Sequence, residues 1–168
     1  MAEEAKSNGQ TDPPPPLDAP QQLIVNAQYV KDLSFENPRA PQSLIQQSAQ
    51  PSVDINVDVK AQNLGPEVFE VILTINVTAR VEDQPVFLVE LAYGTVVTVR
   101  NAPQEMLAPM ILIETPRIVF PFARAIIANA TRDGGFPPLL INPIDFAELL
   151  RRQQSEALPA AVSGSEVV

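Results

Sequence analysis

The clearest pattern in the sequence is an alternation of apolar and polar residues over residues 68–99. Every odd position from Phe69 to Val81 is apolar, while most of the even positions between them carry polar or charged side chains. The alternation resumes after the turn-forming residues 82–85 and continues from Phe87 to Val99. A period of two residues is typical of a β-strand with one buried face. The stretch therefore predicts a β-hairpin with an apolar face and a polar face.

A weaker form of the same pattern precedes the hairpin at residues 26–36. Ala27, Tyr29, Leu33 and Phe35 occupy odd positions there, and Lys31 is the exception among them. A β-bulge or an edge position in the sheet would accommodate a lysine on the apolar side. We expect a first strand here, with its odd-numbered apolar residues on the apolar face.

Residues 53–59 form the most regular strand pattern, with valine or isoleucine at each odd position. The polar residues between them, Asp54, Asn56 and Asp58, have the spacing that opens a calcium-binding loop. Such a loop requires glycine at its sixth position and glutamate at its twelfth, where this sequence has Val59 and Gly65. A strand is therefore preferred, and no metal site is predicted.

The second half of the sequence has a helical pattern. A helix is predicted from about residue 116 to 131, with Pro121 bending it and the residues 133–135, Asp-Gly-Gly, ending it. Arg124 is its only charged residue between positions 118 and 130. A helix that is apolar on all sides must be covered on all sides, and one four-stranded sheet covers only one. The sequence therefore predicts self-association.

The remaining segments complete a single domain. Residues 103–113 are expected to form an apolar segment broken by Pro109, and a short C-terminal helix is predicted from Pro143 to about Gln153 with Asn142 as its N-cap. Residues 1–22, which include four consecutive prolines, and residues 154–168 are expected to be disordered. The predicted domain is therefore residues 23–153.

Composition narrows the possible functions. The formal charge of −9 at pH 7 and the pI near 4.4 disfavour nucleic acid and anionic membranes as partners, and a basic partner is more plausible. Neither cysteine nor histidine occurs, which removes thiolate and imidazole from metal binding and catalysis. No signal peptide and no membrane span is evident. We expect a cytoplasmic protein without cofactor that does not insert into membranes.

The polar face of the predicted sheet collects acidic residues. If no bulge changes the alternation, six carboxylates share this face with exposed Leu88, and Arg80 is the obvious counter-charge. A flat sheet lacks an enclosed pocket that would shift carboxylate pKa values, so binding is favoured over acid–base catalysis. A structural protein, whose sheet and helix only mediate oligomerisation, is the alternative that remains open. The six acids are Asp32, Glu36, Asp54, Asp58, Glu70 and Glu90.

Several motifs, in this order along residues 28–153, resemble those of the SecB family of bacterial protein-export chaperones. The resemblance implies an α+β fold in which a four-stranded antiparallel sheet is followed by a long kinked helix and a short C-terminal helix, assembled as a dimer of dimers. The motifs are Tyr-Val-Lys-Asp-Leu-Ser-Phe-Glu-Asn-Pro at 29–38, Phe-Leu-Val-Glu at 87–90, Phe-Pro-Phe-Ala-Arg at 120–124, Gly-Phe-Pro-Pro-Leu at 135–139 and Asn-Pro-Ile-Asp-Phe at 142–146.

The resemblance also implies a function without enzymatic chemistry. Such a protein binds unfolded preproteins in apolar grooves without ATP, keeps them competent for translocation and delivers them to the motor SecA. By motif, the contacts with SecA correspond to Asp32 and Glu36 in the first strand and to Leu88 and Glu90 in the fourth. All four have the parity of the polar face on which the six acids are predicted to lie.

Client-binding and assembly residues are assigned from the resemblance together with the exposure of apolar residues that the pattern predicts. Apolar side chains beside a groove can accept many client sequences, although core packing would explain the same residues. The family often has an aromatic residue in the connector near Ala49, and this chain has none. The predicted client contacts are Leu44, Ile45, Phe146, Leu149 and Leu150. The predicted oligomer contacts are Val89, Leu91, Tyr93, Phe120, Phe122 and Ile126.

Overall fold

The computed structural model describes residues 19–45 and 49–157. The predicted disorder of residues 1–18 and 158–168 concerns segments outside this range. The strands are β1 (Gln22–Glu36), β2 (Ser52–Gly65), β3 (Val68–Val81) and β4 (Gln84–Arg100). The helices are α1 (Gln42–Ile45), α2 (Gln104–Pro109), α3 (Thr115–Asp133) and α4 (Phe146–Ala157), with a π-helical segment, Met110–Glu114, between α2 and α3.

The four strands form one antiparallel sheet in the order β1-β4-β3-β2. The predicted hairpin is its centre, where Val77 lies opposite Val89 and Ile75 lies opposite Leu91. The connector that contains α1 leads the chain from β1 at one edge to β2 at the other. The four-stranded antiparallel sheet and the two helices of the predicted fold are therefore confirmed.

The odd-numbered residues of β3 and β4 form the apolar face that the alternation predicts. Helix α3 lies on this face and buries Val119, Ala123 and Ile127 against the sheet. Burial of these side chains stabilises the domain, because each removes apolar surface from water. At the β2 edge of the opposite, polar face, the amide of Gln153 in α4 donates to the carboxylate of Asp58 at 2.5 Å.

Strand β1 departs from the predicted alternation. Two β-bulges interrupt its pairing with β4, one between Val25 and Ala27 and one between Val30 and Asp32. Each bulge inserts an unpaired residue and exchanges the two faces. Tyr29 therefore lies on the polar face, as does Ala27, which corrects the expectation that both lie on the apolar face. A bulge is present at Lys31 and β1 is also an edge strand, so that both of the alternatives offered for this lysine apply.

The long helix begins earlier than predicted. Helix α2, the π-helical segment and α3 follow one another without a break, so that Pro109 does not interrupt the helical path. Pro116, which has no backbone N–H to donate, lies in the first turn of α3, where no helical donor is required. The carbonyl of Met110 accepts the backbone N–H of Thr115 and also, at 3.0 Å, its buried hydroxyl. Helix α3 continues through Pro121 and ends at the predicted glycines.

The C-terminal helix is shifted relative to its prediction. Helix α4 begins at Phe146, and the carboxylate of Asp145 caps it by accepting the backbone N–H of Glu148 at 3.0 Å. This hydrogen bond lowers the pKa of Asp145. Asn142 is therefore not the N-cap, because the residues before Asp145 stay extended while Ile141 packs into the core. The helix ends at Ala157, four residues beyond the predicted end of the domain at Gln153.

Candidate functional site

The pairing of β1 with β4 brings the four predicted SecA-contact residues onto one surface. Glu36 lies directly opposite Leu88, and Ser34 between the two β1 acids lies opposite Glu90. Facing residues on neighbouring strands have Cβ atoms about 5 Å apart, and alternate residues along a strand are about 7 Å apart. Asp32, Glu36, Leu88 and Glu90 therefore form one compact patch on the polar side of the sheet. We call this patch the acidic face.

The carboxylates of the acidic face are available to a partner. Asp32, Glu36 and Glu90 are exposed, and within the described part of the chain no lysine or arginine forms an ion pair with any of them. Leu88 lies half-buried between these acids and adds an apolar contact. The patch therefore combines unpaired negative charge with one apolar side chain, as expected of a docking surface for a basic protein.

Glu70 does not contribute to this negative charge, which corrects the expectation of six acids on one exposed face. Glu70 is only 6% exposed. The carboxylate accepts hydrogen bonds from the ammonium of Lys31 at 2.8 Å, from the hydroxyl of Tyr29 and from the amide of Gln62. These bonds, that of Lys31 above all, lower the pKa of Glu70 from 4.5 to about 2. The hydrogen bond that Tyr29 donates to Glu70 raises the pKa of Tyr29 to about 12.

A second candidate site is a cavity at the other side of the sheet, which is lined by both apolar and polar side chains. It has a volume of about 700 Å³, is partly open to solvent, and lies between the connector after β1 and the loop after α3. Its apolar walls come from both segments and from the strand ends between them. The side chains that shape these walls are Ala49, Val53, Val86, Phe87, Phe136 and Leu139.

Contacts between the connector and the end of α3 join the two segments that line the cavity. The amide of Asn37 donates to the carbonyl of Gly134 at 3.2 Å, and the hydroxyl of Ser43 donates to the side-chain oxygen of Asn37 at 3.1 Å. Leu44 lies against Gly135, whose φ of +91° favours glycine and turns the chain away from α3. Leu44 is therefore half-buried beside the cavity, while Ile45 next to it is 77% exposed.

The predicted client contacts in α4 have a different environment. Phe146 is 2% exposed and packs edge-on against Phe120, with ring centroids 6.0 Å apart. It belongs to the core, which corrects the expectation of an exposed side chain beside a groove. Leu149 and Leu150 are half-buried, and neither lines the cavity. Phe136 and Leu139, in the Gly-Phe-Pro-Pro-Leu motif, do line the cavity, although no site was predicted at either residue.

The predicted oligomer contacts also divide into buried and exposed residues. Val89, Leu91 and Tyr93 are buried under the helices of the same protomer, and Phe120 is buried with them. These four pack within the protomer, and their role in assembly stays a prediction. Phe122 is 52% exposed and Ile126 half-buried. Together with Ile118, the exposed Phe122 defines the outer face of α3, which no described residue covers.

These features define a class of protein. An unpaired acidic patch, an apolar cavity between two surface segments and an uncovered helix face are surfaces for binding polypeptides. Among the described residues that line the cavity, Glu82 is the only carboxylate, so no facing pair of acids is present there. Across residues 19–45 and 49–157, no helix is both long and apolar enough to cross a membrane.

Comparison with known proteins identifies the family. The family model described as preprotein translocase subunit SecB matches residues 17–157, and the chain belongs to this family. It is 53% identical over 137 residues to the protein-export protein SecB of Afipia carboxidovorans, covering 82% of this chain and 85% of that protein. It is 49% identical over 161 residues to the protein-export protein SecB of a Bradyrhizobium species, covering 96% and 94%.

A solved structure has the same fold at low sequence identity. The SecB-like chaperone Rv1957 of Mycobacterium tuberculosis, in complex with a peptide of the HigA1 antitoxin, superposes with a TM-score of 0.61. The two chains are 13% identical, and the match covers 73% of this chain and 90% of that one. The comparison supports the arrangement of sheet and helices described above.

Proposed function

We propose that the protein is an ATP-independent chaperone of the cytoplasm that binds unfolded preproteins, keeps them translocation-competent and delivers them to SecA. The observation that carries the proposal is the cavity beside the connector, with its wall of apolar side chains, in a chain that belongs to the SecB family. The relatives named protein-export protein SecB support the same role. The work of this protein is binding rather than catalysis.

Client binding follows from the burial of apolar surface. An unfolded client exposes apolar segments that gain about 25 cal/mol for each Å² removed from water. The cavity of about 700 Å³ can accept a few side chains, and its half-open shape imposes little sequence specificity. Leu44 and Ile45 extend this apolar surface on the connector side, and Leu149 and Leu150 offer further contacts on α4. A folded protein hides its apolar segments and is therefore not bound.

SecA docks, in this proposal, on the acidic face. Asp32, Glu36 and Glu90 supply negative charge that favours a basic partner, and Leu88 supplies an apolar contact at its centre. Because the acidic face and the apolar cavity lie in different parts of the protomer, a client and SecA can be bound at the same time. Delivery to the motor then needs no release into solution.

The active form, in this proposal, is a homotetramer built as a dimer of dimers. The outer face of α3, with Phe122 52% exposed, supports self-association because it leaves an apolar helix face in contact with water. Several cavities on one assembly would bind separate segments of a single client. Such multivalency raises the overall affinity without added sequence specificity.

Suppression of aggregation tests client holding. A chemically unfolded preprotein is diluted with a stoichiometric amount of the protein, without nucleotide, and light scattering is followed. The proposal expects scattering to be suppressed. Unchanged scattering would contradict it and would favour the alternative, a structural protein whose sheet and helix only build an oligomer.

A charge reversal tests the docking surface. Glu90→Lys is expected to weaken the capture of SecA in a pulldown, while suppression of aggregation stays unchanged. Glu67→Lys is the matched control, because Glu67 is also exposed but lies in the turn between β2 and β3, away from the acidic face. Undiminished capture by the Glu90→Lys variant would refute the assignment of the acidic face.

A further inference from the structure

The second bulge of β1 decides which side of the sheet the acids of this strand face. Val30 and Asp32 lie opposite consecutive residues of β4, so that Lys31 between them is unpaired. One unpaired residue exchanges the faces of all residues that follow it in the strand. Without this bulge, Asp32 and Glu36 would face the helices instead of a partner.

The carboxylate of Glu70 binds the residues at this bulge. Its Oε1 accepts hydrogen bonds from the hydroxyl of Tyr29 and from the ammonium of Lys31, the latter at 2.8 Å. Its Oε2 accepts a hydrogen bond from the amide of Gln62 in β2. Glu70 lies in β3, so this single carboxylate connects three strands and reaches across the fourth.

Tyr29 reaches Glu70 by passing directly over Gly94 of β4, which lies opposite it. A Cβ atom at position 94 would lie 2.4 Å from two carbons of the tyrosine ring, closer than any side chain tolerates. Glycine at this position therefore provides the space for the tyrosine ring. The cluster is a fitted contact between four strands rather than a chance meeting of surface side chains.

The cluster of Tyr29, Lys31 and Gln62 around Glu70 depends on the carboxylate of Glu70 being ionised and hydrogen-bonded. Hydrogen bonds to an ionised acceptor are stronger than those between neutral groups. A buried carboxylate that loses its partners destabilises its surroundings, since it has given up its water. Loss of the lysine or the tyrosine partner would therefore loosen β1 at the bulge.

We propose that Glu70 is a positioning residue for motor docking: by binding Tyr29 and Lys31 it fixes the second bulge and so the outward orientation of Asp32 and Glu36. The inference rests on the proposed function, because it takes the acidic face as the docking surface for SecA. Glu70 is buried and acts through β1 rather than by touching SecA.

A matched pair of lysine substitutions distinguishes an effect of the position of β1 on docking from an effect of the net charge of the polar face. Lys31 and Lys60 lie on the same face of the sheet, but Lys60 is in β2, pairs only with Asp58 at 3.4 Å and does not contact β1. Each change to methionine makes the face more acidic by one charge, which would not weaken binding to a basic surface. We expect Lys31→Met to raise the Kd for SecA about tenfold, and Lys60→Met to change it less than about twofold.

A charge exchange distinguishes positioning from a direct contact of Lys31 with SecA. The double variant Lys31→Glu with Glu70→Lys restores the ion pair in reverse and leaves no lysine at position 31. We expect its Kd to return to within about threefold of the unmodified value, while Lys31→Glu alone binds weakly. If the double variant binds as weakly as the single one, the inference is overturned.

Hydrogen exchange supplies a readout that does not involve SecA. The variants should remain folded, because Phe35 beyond the bulge still stacks on Phe87, with ring centroids 6.1 Å apart. We expect backbone amides of residues 29–33 to exchange faster in Lys31→Met than in Lys60→Met. Equal exchange in the two variants, or faster exchange with unchanged affinity for SecA, overturns the inference. Failure of the unmodified protein to bind SecA refutes the docking function itself, which the exchange data do not depend on.

Discussion

Replacing Phe122 with aspartate is expected to dissociate the assembly without unfolding the protomer. The side chain is 52% exposed on the outer face of α3. A phenylalanine side chain presents roughly 200 Å² of surface, so about 100 Å² is left for another copy to bury. At about 25 cal/mol per Å², this burial contributes about 2.5 kcal/mol per protomer. Two copies meeting in one interface would lose about 5 kcal/mol, more than a thousandfold in dissociation constant.

Light scattering coupled to size-exclusion chromatography measures this effect over a range of protein concentrations. The matched control is Leu64→Asp, because Leu64 in β2 is 53% exposed but lies away from α3. We expect the Phe122→Asp variant to have a lower mass than the control at the same concentration, with an unchanged circular dichroism spectrum. Equal masses for the Phe122 variant and the unmodified protein would refute the reasoning, as would an unmodified protein that is monomeric.

Further expectations concern the buried cluster, the core and the cavity. Because the pKa of Glu70 falls from 4.5 to about 2 on folding, its contribution to the free energy of unfolding is complete above pH 4.5 and is lost as the pH falls towards 2. Urea denaturation should show this dependence reduced in Glu70→Gln, and an unreduced dependence would contradict the assignment. Tyr29 gives the opposite pH dependence, because its pKa rises from 10.0 to about 12 on folding. Its contribution to the free energy of unfolding is therefore lost between these values as the pH rises, and the Tyr29→Phe variant should not show this loss. Ile127→Ala, at a fully buried site, should lower the free energy of unfolding by about 2–5 kcal/mol, whereas a cost near zero would mean that α3 does not pack as described. Ala49→Phe adds an aromatic ring to the cavity wall and should tighten client binding about two- to fivefold in a fluorescence titration; unchanged binding would mean that clients do not contact this wall.

The centre of the sheet could be predicted from the sequence because the alternation of apolar and polar residues that indicates it lies within each strand. In β3 and β4 the alternation of side chains directly reports which face is buried, and Ile75 and Leu91 face the core as predicted. Antiparallel pairing of consecutive strands requires only the turn between them. The β4 part of the acidic face follows from the same parity, because Leu88 and Glu90 are both at even positions of this strand.

The reversed faces of residues 27–30 in β1 could not be predicted, because the residues that fix them are distant in the sequence. Tyr29 looks like a core residue by its apolar ring and its odd position. Its hydrogen-bond partner is Glu70, 41 residues away, and the glycine that admits its ring is in β4. No local pattern shows that a tyrosine, a glycine and a glutamate from three strands will meet.

Hydrophobicity alone did not separate core residues from surface contacts. Phe120 and Phe122 are two positions apart in one helix, yet the first is buried and the second is half exposed. Phe146 has the same ambiguity, since an apolar side chain can serve a client groove or the core. The start of the long helix was missed because Pro109 usually ends a helix, whereas a π-helical segment here carries the chain past it.

The central claim is that the protein binds unfolded polypeptides and ignores folded ones. Isothermal titration calorimetry tests it with one preprotein in two forms, a variant that stays unfolded in buffer and the folded mature protein. The account predicts binding of the unfolded form without nucleotide, with a negative heat-capacity change that marks burial of apolar surface, and no binding of the folded form. Equal binding of both forms, or binding of neither, would contradict it.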